Sequence, residues 1–138
     1  MENSQALNQY LLDTDMVIDM MRSPSSKASQ MVRQVTMATC YIADITLYEL
    51  YCGAAESNTP DANYALINYI KSRFKVLNSL DAYIEASKQK LRLKKSGTPL
   101  EEKDLLIGCT AKVHGMTLVT GNLKHMSRIE GLEVCCWR

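Results

Sequence analysis

Tyr10-Leu11-Leu12-Asp13-Thr14-Asp15-Met16-Val17-Ile18-Asp19-Met20-Met21-Arg22 changes its periodicity after the first three residues. Tyr10 to Leu12 is a short apolar run closed by an aspartate. From Thr14 onward, Met16, Val17, Met20 and Met21 recur on one side of a helix. The described pattern is a strand that runs directly into a helix.

The alternation repeats downstream. Lys27 to Met37 reads as a second helix. Cys40-Tyr41-Ile42-Ala43 reads as a buried strand that feeds a helix from about Thr46 to Ala55. Asp61 to Phe74 and Asp81 to Lys95 read as two antiparallel helices, with Lys75-Val76-Leu77 as a third strand between them. Thr98-Pro99 marks a helix start with proline at the first helical position, and that helix runs to about His114 before Gly115 stops it. Met116 to Val119 is a fourth strand that turns at Thr120-Gly121-Asn122, and Leu132 to Val134 is a last, edge strand. Strands alternating with helices predict an α/β fold: three layers, with a central, mostly parallel sheet of four to five strands flanked by helices, residues 1–138 forming a single domain. In such sheets ligands bind beyond the carboxyl ends of the strands, where Asp13, Asp44 to Glu49 and Thr120 to Asn122 fall.

Composition narrows the function classes. Sixteen basic against fifteen acidic side chains give a formal charge of +1, so any nucleic-acid site must be local and not a field over the whole surface. The five cysteines (40, 52, 109, 135, 136) are odd in number and form no C-x-x-C pair, which argues against a disulfide framework and against structural zinc. No basic leader precedes an apolar run, and no run approaches the roughly 18 apolar residues of a spanning helix. A cytoplasmic protein without a membrane partner is the expectation.

Three acids stand out, each with a plain structural alternative. Asp13 can simply cap the helix that follows, although two carboxylates as close as Asp13 and Asp15 repel unless a cation neutralises them. Thr46-Leu47-Tyr48-Glu49 fits a capping box, but a helix starting at a strand end also aims Glu49 at the crevice beside Asp13. Asp104 belongs to the charge run Glu101-Glu102-Lys103-Asp104, ordinarily a solvated face. It also precedes Ile107 by three residues and Ala111 by seven, which places it on the inward stripe, where an acid needs a partner or a metal.

Four segments resemble, in order, the successive motifs of PIN-domain ribonucleases, most closely the VapC toxins of type II toxin–antitoxin modules. They are Tyr10-Leu-Leu-Asp-Thr-Asp-Met-Val, Ile45-Thr-Leu-Tyr-Glu-Leu-Tyr-Cys-Gly-Ala, Asp104-Leu-Leu-Ile-Gly-Cys-Thr-Ala and Leu118-Val-Thr-Gly-Asn-Leu-Lys-His-Met. The resemblance implies that Asp13, Glu49 and Asp104 hold Mg²⁺ or Mn²⁺. It places Asn122 where relatives often carry a further acid or an asparagine. It also implies an RNA substrate, a cognate antitoxin that blocks the crevice, and a homodimer, for which Tyr64, Tyr69 and Tyr83 offer a contact surface. Two departures stand out: Asp15 replaces a common asparagine, and Met126 replaces a common aromatic residue. The number of ions stays open.

The chemistry expected is metal-dependent hydrolysis of RNA phosphodiester bonds, with Thr120 and Asn122 positioning water or phosphate and no side-chain nucleophile. Lys124, His125 and Arg128 are candidates for phosphate contacts. Single-stranded or looped RNA is the expected substrate, since its backbone is splayed. Two alternatives belong to other classes. Asp13-Thr-Asp-Met-Val also fits the D-x-D signature of haloacid-dehalogenase-like phosphatases, with Asp13 as nucleophile and Asp15 as acid/base, but that pattern needs a lysine and then a pair of acids well downstream, and the only acids after Thr120 are Glu130 and Glu133. The other is a PIN-fold binding module that has lost its chemistry, motivated by the uncharged Asn122.

Overall fold

The computed structural model describes residues 8–138, and in it Tyr10–Leu12 forms β1 at the centre of a five-stranded sheet. The other strands are β2 (Cys40–Ala43), β3 (Lys75–Leu77), β4 (Thr117–Val119) and β5 (Val134–Cys135). Their order is β3-β2-β1-β4-β5, and every neighbouring pair is parallel. Leu12 lies opposite both Ile42 and Val119, so β1 and β4 end level with one another and β2 runs one residue further. Asp13 and Thr120 therefore leave the sheet side by side, and Ala43 leads the chain out of β2 at the same edge.

A strand of three consecutive apolar residues makes sense only if both faces of the sheet are covered. Leu11 and Leu12 are both fully buried and point into different cores. Leu12 joins side chains from α1 (Thr14–Arg22), α2 (Lys27–Val35) and α4 (Pro60–Arg73), among them Met16, Val32, Ile67 and Ile70. Leu11 joins α5 (Tyr83–Lys95) and α6 (Glu102–Val113) through Leu93, Leu105 and Ile107. α3 (Asp44–Glu56) gives Leu50 and Ala54 to the first core, and Met126 of the short α7 (Leu123–Met126) packs into the second.

Several boundaries differ from the sequence expectation for identifiable reasons. α3 begins at Asp44, not Thr46, because Asp44 fixes the first turn: its Oδ1 accepts the Ile45 N–H at 2.8 Å and its Oδ2 the Ser79 N–H at 3.2 Å. Thr46 is then inside the helix and fully buried, so the Thr46/Glu49 capping box does not form. Pro99 precedes α6 and does not open it. The Thr98 N–H closes the end of α5 on the Leu93 carbonyl, and the Pro99 carbonyl accepts from Arg128, which holds that segment extended until Glu101 starts the helix. α4 and α5 do not form a hairpin of their own: α4 packs on α3 and α5 on α6, with their buried side chains in different cores.

Candidate active site

The carboxyl ends of β1 and β4, the first turns of α1 and α6 and the second turn of α3 enclose an open crevice of about 300 Å³. Its wall includes Asp13, Asp15, Glu49, Asp104 and Asn122, with Thr14, Glu101 and Lys103 between them. Four of the five residues proposed from sequence thus meet in one cleft. The fifth, Thr120, lies immediately behind it.

Asp13 is only 5% exposed and its carboxylate is clamped. Its Oδ1 accepts the Thr14 N–H and its Oδ2 the Thr120 hydroxyl, each at 2.8 Å. Thr120 is fully buried, and its oxygen also accepts the Asn122 N–H at 2.9 Å, so it links the β4 turn to the β1 carboxylate. Burial outweighs these bonds and pushes the Asp13 pKa up to about 6, with the charge of Asp15 adding to the rise.

Asp15 turns toward the β4 end, where its Oδ2 accepts the Gly121 N–H at 3.0 Å. Its Oδ1 is buried without a hydrogen-bond partner among the described residues, and burial raises its pKa. A β-carbon on Gly121 would come within 2.8 Å of that carboxylate and 3.0 Å of the Arg138 guanidinium, so only glycine fits the approach. Asp104, in the first turn of α6, is also raised, first by burial and then by the neighbouring charge of Glu101, and its side chain makes no hydrogen bond among the described residues.

Glu49 differs from the aspartates because both of its oxygens are engaged. Oε1 accepts the Thr14 hydroxyl at 2.5 Å, and Oε2 lies 2.9 Å from the Lys103 ammonium. Thr14 in turn sits 3.1 Å from the buried Thr46 hydroxyl. Neither Thr14 nor Lys103 was singled out by sequence reasoning. The one available signal for Lys103 was its place immediately before Asp104, which a helix turns toward the same cleft.

The remaining candidates divide. The Asn122 side-chain amide oxygen Oδ1 lies 2.5 Å from His125 Nδ1, which keeps His125 at the rim. Lys124 is exposed. Arg128 is tied to the Pro99 carbonyl at 3.0 Å and is a structural strut. Asp44, although it too leaves a strand end, bonds to Ser79 and not to the crevice. His114 caps the end of α6 by contact of Nδ1 with the Thr110 carbonyl at 2.8 Å, and the five cysteines are unpaired.

The donors fit a hard divalent cation in kind: they are all carboxylate oxygens, three of the acids have pKa values raised chiefly by burial, and one buried oxygen has no partner among the described residues. Among the described residues no three of these acids are gathered closely enough to hold an ion as they stand, and Lys103 occupies Glu49.

The PIN-domain family pattern matches residues 10–132 of this chain. The chain is 31% identical over 130 residues to the tRNA(fMet)-specific endonuclease VapC of Salmonella typhimurium, covering 94% of this chain and 98% of that protein. It is 30% identical, with the same coverage, to Ribonuclease VapC2 of Haemophilus influenzae. Among solved structures, the DNA-bound VapBC from Salmonella typhimurium superposes with a TM-score of 0.87 at 29% identity, over 95% of this chain and 99% of that one. VapBC-1 from nontypeable Haemophilus influenzae gives 0.82 at 29% identity, over 93% and 97%.

Proposed function

The chain belongs to the PIN-domain family, on its VapC branch, and from that membership we propose that it is an endoribonuclease, the toxin of a VapBC-type toxin–antitoxin pair, which hydrolyses RNA with Mg²⁺ or Mn²⁺. The observation that carries this reading is the meeting of Asp13, Asp15, Glu49 and Asp104 in one crevice, with an unpartnered oxygen on Asp15.

Asp13, Glu49 and Asp104 are the residues that would hold the ion. A bound divalent ion supplies charge neutralisation at the phosphoryl oxygens and makes water more acidic. The chain supplies the rest. Thr120 and the Thr14 N–H fix both oxygens of Asp13, so that carboxylate meets its ligand without reorganising. Asp104, which has no hydrogen-bond partner among the described residues, has both oxygens free to complete the ion's ligand set from the first turn of α6. The Asn122–His125 pair at the rim orients the phosphate backbone of single-stranded or looped RNA.

The test is cleavage of a mixed cellular RNA pool, with Mg²⁺ or Mn²⁺ and with a chelator, by wild type and by Asp13→Asn, Glu49→Gln and Asp104→Asn. Ion-dependent cleavage lost by at least 10²-fold in each variant is the expected result. Folded Asp13→Asn and Asp104→Asn proteins that cut like wild type refute the assignment.

The protein partner we propose is an antitoxin that covers the crevice, since the solved relatives are toxin–antitoxin complexes. We also propose a cytoplasmic homodimer. Tyr69 and Tyr83, each 52% exposed, offer contact area, whereas Tyr64 packs toward Tyr51 with ring centres 6.1 Å apart. A monomer across micromolar concentrations in size-exclusion chromatography with light scattering would count against the dimer. No helix among the described residues is long and apolar enough to cross a membrane.

A further inference from the structure

Lys103 is the one basic side chain that forms an ion pair with a crevice acid among the described residues, and it does so on Glu49 Oε2 at 2.9 Å while Thr14 engages Oε1. Among the described residues the three aspartates have no such neighbour within ion-pair distance. The lysine projects from the first turn of α6, one residue before Asp104, and its side chain is 49% exposed. Its stem is flexible and its ammonium can swing into solvent at small cost, because an ion pair between partly exposed groups is weak.

We propose that Lys103 is a tethered counter-ion, a monovalent cation that occupies Glu49 until a divalent ion displaces it, and that it thereby sets the ion concentration at which the crevice loads. The proposal rests on Glu49 being an ion ligand, as argued above. It accounts for both oxygens of Glu49 being satisfied in a crevice where Asp15 Oδ1 and Asp104 lack partners among the described residues. It also predicts an order. Glutamine at 103 removes the competitor, whereas arginine keeps the charge and grips a carboxylate with a planar fork, so it competes at least as well as lysine.

Isothermal titration calorimetry of Mn²⁺ alone into the chelator-treated full chain tests this without reference to cleavage. Lys103→Gln is expected to bind Mn²⁺ about three- to tenfold more tightly than wild type, since the lost ion pair and the removed positive charge act in the same direction. Lys103→Arg is expected to bind no more tightly than wild type. In a Glu49→Gln background the Lys103→Gln gain should fall below about twofold, because the coupling runs through that one carboxylate. Wild-type affinity in Lys103→Gln overturns the proposal. So does a gain that persists in full without Glu49, which would make Lys103 a diffuse field and not an occupant. Failure of wild type itself to bind Mn²⁺ instead overturns the reading of the acids as ion ligands, and it registers before any lysine variant is compared.

Discussion

Asp13 is both a helix cap and a crevice acid, and the two roles are the same geometry. The cap bond to the Thr14 N–H fixes the carboxylate that the crevice uses. Its cost is a buried charge, and that cost has a definite pH signature. Because the folded pKa is about 6 against 3.8 for the free side chain, the folded state holds the proton more tightly, so this carboxyl's contribution to stability is greatest below about pH 4 and is lost as pH rises through 6. Two units correspond to at most about 3 kcal/mol. Asp13→Asn in chelator should therefore be about 1–2 kcal/mol more stable than wild type at pH 7.5, allowing for one imperfect bond to Thr120, with the gap closing near pH 4 in paired thermal melts. Gly121→Ala should do the reverse. Its methyl group forces Asp15 and Arg138 aside, at about 1–3 kcal/mol of stability and with reduced cleavage. Asp13, Glu49 and Asp104 were legible in the sequence because each follows or sits beside a readable element. Thr14 and Lys103 were not, because their partner is Glu49, far away along the chain, and only packing brings them to it.

At the scale of the elements, patterns of apolar residues proved more informative than end signals. The burial of Met16 and Val17 in α1 follows directly from their spacing. By contrast, the Thr46/Glu49 and Thr98-Pro99 signals each misplaced a helix start by two or three residues, since a tertiary bond (Asp44 to Ser79, Arg128 to Pro99) outcompeted the local one. α2 shows the local rule obeyed: the Ser26 hydroxyl accepts the Ser29 N–H at 3.1 Å as its N-cap. Ser26→Ala should cost about 1 kcal/mol in denaturant unfolding while RNA cleavage stays as in wild type, because α2 supplies no residue to the crevice.

For the molecule as a whole, β1 joins two cores, so truncating either of its leucines damages one of them. Leu11→Ala should lose about 2–5 kcal/mol, read as a shift of the denaturation midpoint with the slope unchanged. The raised acids also make stability depend on the ion. Mg²⁺ or Mn²⁺ should lift the melting temperature, and by more at pH 7.5 than at pH 5, where protons compete for the same oxygens. A melting temperature unmoved by saturating Mn²⁺ at pH 7.5 would sink the ion-binding assignment. The fold class was readable because buried parallel strands advertise themselves as apolar runs. The strand order was not, since nothing local records which runs lie side by side.

That order has a consequence for the life of the chain. β1 is sandwiched between β2 and β4, and the bond from Thr120 to Asp13 spans 107 residues. During synthesis, Asp13 lacks the strand that aligns it until β4 has been made, and α6, which carries Asp104, is made in the same late interval. The crevice is thus complete only once the last strands have been made, and any activity that depends on it arises when the sheet closes.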